Sequence, residues 1–273
     1  MTPAPATATR AALASALSLT ALLTTAACTA DDRVRSGLPA GVEQEATASA
    51  STAAPAAEQP STAPPAGLTE AQLRAALITE MDLGEPWVPT RGVATWRDGL
   101  LKAQVEDEKE DAPCRRLLDA LYTEELFGAP AGPRAVVTLD DAYNGSQLRY
   151  QVASYRPEDV DRTLQWMRTL PDTCGEFTAR TARAGEQGVE VEELELPDAG
   201  DARAALRVTM TGETADGEPT YLTVDLAAVR VGEDTITLTN GGYGEIAPEV
   251  SQGVVELGAE RLTEIRRQGR LEV

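Results

Sequence analysis

The chain has 273 residues, with 44 Asp and Glu against 24 Lys and Arg and a formal net charge of −20. So acidic a chain excludes nucleic acid or an anionic lipid surface as its main partner, because like charge repels both. It contains no histidine, which removes the Ser-His and Cys-His catalytic pairings and the histidine zinc sites.

Residues 1–27 begin with Arg10 and the α-amine as the only positive groups, continue through an apolar stretch from Ala11 to Leu23, and close on Thr25, Ala26 and Ala27. This is the order of a secretory signal peptide, and the stretch is too short for a membrane-spanning helix. Cys28 comes next, and two readings are open. It is either a plain first residue, left after cleavage at Ala27, or a lipid anchor. The segment LTTAAC resembles a bacterial lipoprotein signal, which implies a diacylated Cys28 that holds the protein to the outer side of the cell membrane. The three cysteines point the same way, because an odd count in an exported chain leaves one thiol to be accounted for.

Residues 28–66 are dominated by Ala, Ser, Thr, Pro, Gly and Glu and contain no aromatic residue. That composition cannot bury enough apolar surface to offset its ordering entropy. A disordered tether is expected, spanning roughly 30 to 35 Å as a random coil. Residues 67–273 hold every aromatic residue and are long enough for one domain with a large core.

Within that domain LTEAQLRAALITEMDLG reads as one helix. Thr69 and Gln72 are placed for a capping box, Leu68 and Leu73 for a hydrophobic staple, and Leu73, Ala76, Leu77 and Met81 share a face. EPWVPTRGVATWRDG reads as loop with one short strand. PCRRLLDALYTEELFG is helical, with Cys114, Leu117, Leu118 and Leu121 on its buried stripe, which suits Cys114 to a disulfide better than to a reactive thiol. AVVTL is a short strand, and QLRYQVASY alternates with Leu148, Tyr150 and Val152 inward. The helix PEDVDRTLQWMRTL starts at Pro157 and is expected to stop at Pro171. In GVEVEELELP the apolar parity shifts from Val189 and Val191 to Leu194 and Leu196, which predicts a β-bulge near Glu192 and Glu193. LRVTM, YLTVDLAAVRV and ITLTN, joined by short turns, predict an antiparallel meander. NGGYG reads as a turn after a strand, and NGS at 144–146 as another turn. A final helix from Pro248 to about Arg267 packs Val250, Val254, Leu257, Leu262 and Ile265 inward. The fold class is α+β, a mostly antiparallel sheet packed against helices.

The blocks APCRRLLDALY and RYQVASYRPEDVDRTLQWMRTLPDTC, the later hairpins and the closing helix resemble the actinobacterial sensor-domain family, the extracellular domain of PknH-type kinases that also occurs in lipoproteins. The resemblance implies an α/β domain with a broad cleft for a small ligand outside the cell. It also implies a disulfide between Cys114 and Cys174. Export supplies the oxidising compartment, and closing a loop of about 60 residues is worth roughly 4 kcal/mol in the chain-entropy account. The chain lacks the cysteines for the second disulfide common in that family, and it has no kinase domain.

No nucleophile motif or phosphate loop is present. The acidic runs EDEKED (106–111) and EVEELELPDAGD (190–201) lack the spacing of a Ca²⁺ loop and read as solvated faces. No cofactor, metal or catalytic residue is expected, and the chain is read as a non-enzyme. The expected function is binding or sensing of a small extracellular ligand. The alternative is a scaffold or assembly factor that binds an envelope protein. Trp87, Trp96, Tyr155 and Tyr243 are the candidates to line a ligand cleft, while the strand parity of Tyr150 places it in the core. The net charge favours a neutral or cationic ligand group over an anion.

Overall fold

The computed structural model describes residues 67–105, 112–214 and 216–271. The stretches expected to form a signal peptide and a tether, with Cys28 between them, lie outside the described residues.

The first helix is two. Thr69 and Gln72 form the expected capping box, with the Gln72 N–H donating to Thr69 Oγ1 at 3.3 Å and the Thr69 N–H to Gln72 Oε1 at 2.8 Å. They start α1 (Glu70–Ala75). A second capping box follows, in which the Thr79 N–H donates to Asp82 Oδ2 at 2.7 Å and α2 (Glu80–Leu83) begins. The break turns Ile78 into the core and leaves Met81 84% exposed, so Met81 does not share the buried face. The stretch T-E-M-D carries this second start in the sequence.

Strand β1 (Trp87–Pro89), a single π-helical turn (Arg97–Leu101) and β2 (Ala103–Val105) come next. They are followed by α3 (Ala112–Thr123), β3 (Arg134–Asp141), β4 (Gln147–Ser154) and α4 (Pro157–Thr173). Then come β5 (Glu176–Thr181), β6 (Gly185–Glu193), β7 (Ala202–Glu213), β8 (Pro219–Val231), β9 (Asp234–Tyr243) and α5 (Pro248–Leu271). The sheet has the order β1-β3-β4-β9-β8-β7-β6-β5-β2, and every neighbouring pair is antiparallel. The α+β reading and the β7–β8–β9 meander hold.

Strands alternate, and both faces of this sheet are covered, so it has two cores. On the first face α1 and α5 pack over Leu139, Leu148, Tyr150, Val152, Val229, Ile236 and Leu238. On the second face α3, α4 and the π-turn pack over Val189, Val191, Leu206, Val208, Met210, Val224 and Leu226. This arrangement removes the expected bulge. The β6–β7 register runs unbroken to Glu193 opposite Leu206, and the Leu194 N–H donates to the Ala205 carbonyl. Val191 serves the second core and Leu194 the first, so the shift in parity is a change of core.

Two more expectations are corrected. Helix α4 runs through Pro171 to Thr173, because a proline in the last turn forfeits a single helical bond there. Asn240, Gly241 and Gly242 lie inside β9, and the turn follows at Gly244, whose φ is 83°. The NGS turn is present, with the Tyr143 and Asn144 N–H groups donating to Asp141 Oδ1.

The Cys114–Cys174 disulfide is formed, with the Cα atoms 5.5 Å apart. It joins the start of α3 to the residue after α4. The edge strands β1 and β2 sit at opposite ends of the nine-stranded sheet, yet only residues 90–102 connect them. This connection passes over the second face. The Ala94 N–H donates to Gln147 Oε1, and the Trp96 ring lies on Gly241. Among the described residues no helix is long and apolar enough to cross a membrane.

Candidate functional site

The second face changes character towards β3, β4 and β9. Helix α4 packs on β6, β7 and β8, and α3 on β2. The register places Thr138, Arg149 and Thr239 in one row across β3, β4 and β9, and Val136, Gln151 and Thr237 in the next. A strip of polar side chains thus continues the apolar floor that the helices cover.

The strip is bordered by the connection from β1 to β2 and by the end of α3. Arg97 opens the π-turn and is almost fully buried. Its Nη2 donates to the carbonyls of Leu121 (2.9 Å) and Tyr122 (3.4 Å) in the last turn of α3, where a cation is favoured by the helix dipole. Glu124 follows α3 with φ 59°, the one non-glycine residue with positive φ among the described residues. Glycine usually takes that left-handed position after a helix, and a side chain there costs about 1–2 kcal/mol. Its carboxylate bridges two arginines, with Oε1 2.8 Å from Arg97 Nη2 and Oε2 2.6 Å from Arg149 Nε. Side-chain exposure is 7% for Arg97, 14% for Arg149 and 24% for Glu124. Burial pulls the Arg97 guanidinium below its ordinary pKa, and Glu124 works against that pull.

Arg149 Nη2 donates to Gln151 Oε1 at 3.0 Å, and Gln151 Nε2 donates to the Tyr155 hydroxyl at 3.1 Å. Burial raises the pKa of Tyr155, whose ring meets Phe127 at a centroid distance of 5.2 Å. On the other side the Arg97 guanidinium carbon lies 5.4 Å from the Trp96 ring centroid. A Cβ at position 241 would come within 2.9 Å of Trp96 Cη2, so Gly241 is what lets this ring lie against the sheet. Among the described residues, Trp96 Nε1 and the hydroxyls of Thr235 and Thr237 are buried without a hydrogen-bond partner. Each such group costs roughly 1–3 kcal/mol.

Of the four aromatic candidates, Trp96 and Tyr155 border this strip. Trp87 is buried in the core on the opposite face, and Tyr243 stands 53% exposed near the end of β9. The four do not converge. Tyr150 is in the core as expected, its hydroxyl 3.5 Å from the Ala76 carbonyl. The sequence reading missed Arg97, Glu124, Arg149, Gln151 and Thr237. The alternation of QLRYQVASY already put Arg149 and Gln151 together on the face opposite Tyr150, and that was their one signal. Two cavities lie nearby. One of about 730 Å³ is lined by Lys102, Arg115, Asp119 and Tyr122, and one of about 420 Å³ by Gly67, Tyr155, Arg156 and Glu233.

The sequence matches no family model and no curated protein. Solved structures do show a likeness. The chain is similar to the extracellular domain of PknH from Mycobacterium tuberculosis, at 12% identity and a TM-score of 0.41, over 74% of this chain and 99% of that one. It is also similar to a Rv0999 ortholog from Mycobacterium smegmatis, at 12% identity and a TM-score of 0.34, over 71% of this chain and 95% of that one.

Proposed function

We propose that the domain is a non-catalytic binding module of the cell envelope, which holds a small extracellular ligand over the strip between Trp96 and Tyr155. A lipid on Cys28 would hold it to the membrane. The observation that carries this reading is Glu124. It stands on unfavourable backbone and grips Arg97 and Arg149 beside buried donors that lack partners. Strain and unpaired polar groups kept together are a mark of a working surface. Turnover has little to draw on here. The hydroxyls in the strip are threonines, and the chain has no histidine to activate them.

The test is a screen of envelope extracts against the purified protein, read by thermal shift and mass spectrometry. A ligand at a hundred times its Kd stabilises by about 2.7 kcal/mol, which raises Tm by roughly 5 to 10 °C in a domain of this size. That rise should shrink in Trp96→Phe, which removes the indole N–H at the edge of the strip. Reproducible product formation would replace this reading with an enzyme. One further observation favours the alternative of a protein-binding scaffold. Tyr143, in the β3–β4 turn, and Tyr243 are 78% and 53% exposed at the same end of the sheet. Selective capture of one envelope protein with no small molecule retained would establish it.

A further inference from the structure

We propose that Arg97 and Arg149 recognise a carboxylate on the ligand, and that Glu124 fills their site as an internal substitute which the ligand displaces. This rests on the binding reading above and adds to it a chemical class and a moving part.

Glu124 presents one oxygen to each arginine. A free carboxylate can make the same two contacts, and a planar guanidinium is suited to them. The arginines are held without Glu124. Arg97 is fixed by two α3 carbonyls and Arg149 by Gln151, which is itself held by Tyr155. Nη1 of Arg149 donates no hydrogen bond among the described residues. Glu124 is the most exposed of the three and the only one on left-handed backbone, so it is the member that gains by letting go. Two buried donors await a ligand that reaches further than the Glu124 side chain. Trp96 Nε1 belongs to the ring beside Arg97, and the Thr237 hydroxyl stands opposite Gln151 in the register. The ligand is therefore a small acid with at least one more acceptor.

The local geometry departs from the expectation of a neutral or cationic group. The exchange swaps one carboxylate for another, so the buried arginines stay paired throughout. The overall charge of −20 slows the approach of an acid but does not decide what sits between the two guanidiniums.

Acetate is the minimal probe, followed by NMR on the indole N–H of Trp96, which is assigned with Trp96→Phe. The chain has three tryptophans, so the signals are few. In the wild type acetate should give a weak, saturable shift of this signal, and acetamide none. Glu124→Gln removes the internal competitor and should bind acetate about tenfold more tightly, and Arg149→Gln should abolish the response. Glu124→Gly, which suits the left-handed backbone, repeats the test if the glutamine variant fails to fold. An unmoved Trp96 signal in the folded Glu124 variants, or affinity no tighter than wild type, overturns the proposal. Loss of the fold in both Glu124 variants also overturns it, by making Glu124 a structural tie. If an envelope ligand binds Arg149→Gln as well as wild type, the carboxylate class fails and the binding function stands. If nothing binds either protein, both fail.

Discussion

At the scale of single residues, acid sensitivity can be located. Asp82 accepts both guanidinium nitrogens of Arg261 and the backbone and hydroxyl of Thr79. The Arg261 bond does most to hold its pKa at about 2 instead of 3.8. A carboxylate lowered on folding stabilises fully above its unfolded pKa and loses that contribution as pH falls through the folded one. Asp82 therefore contributes above about pH 4 and progressively less towards pH 2. Urea unfolding of Asp82→Asn should show a deficit at pH 6 that has narrowed markedly by pH 2, and a deficit unchanged at pH 2 would refute this. Asp159 and Glu264 shift the same way, so the difference between the two proteins is the quantity to read. Gly241 makes a second residue-scale case. A Cβ there would meet Trp96 at 2.9 Å and Val224 at 3.0 Å. Gly241→Ala should cost about 1–3 kcal/mol by overpacking and change the fluorescence of Trp96. Unchanged stability and fluorescence would mean that the ring does not lie on the sheet. The role of Gly241 was not legible in NGGYG, because a glycine that admits a neighbour's ring and one that turns the chain look alike in sequence.

At the scale of elements, local signals carried far and non-local ones did not. Capping residues, the buried stripe of α3 and the strand alternation all appear in the structure, because each is decided within a few residues. The split between α1 and α2 was written in T-E-M-D but was hidden by an apolar period that runs through it. The parity shift after β6 was misread because a strand between two cores can change its client without changing its pairing. The site was the least legible part. Arg97, Glu124 and Arg149 come from three separated segments, and only the sheet register and the end of α3 bring them together. The disulfide is an element-scale tie, since it fastens α3 to the end of α4 on the second face. Replacing both cysteines with serine should cost roughly 2–4 kcal/mol, measured by chemical unfolding. Equal midpoints under reducing and oxidising conditions would argue that the bridge is not formed.

At the scale of the whole molecule, the anchor is checked by mass measurement of the mature N-terminus, which should carry a diacylglyceryl group on Cys28. An unmodified Cys28 or a different start rejects it. The connection from β1 to β2 has the widest reach. Nine strands about 4.8 Å apart make a sheet roughly 38 Å wide. Of the 14 steps from Pro89 to Ala103, six lie in the helical stretch Thr95–Leu101. Taking about 3.4 Å for each extended step and 1.5 Å for each helical one, the segment reaches roughly 36 Å. It is too short to cross the sheet laid flat, so the sheet curves beneath it, and the ring and guanidinium that border the candidate site are part of it. It works as a girth strap, and the hands of the sheet are tied through it. Shortening it by two residues between Val93 and Thr95 should unpair one edge strand, seen as faster amide exchange in β1 or β2 while the central strands stay protected. Lengthening it by two should leave both edges paired but let Trp96 lift from Gly241. Tension on one margin of the sheet would then be felt at the other, and anything that takes hold of Arg97 holds both.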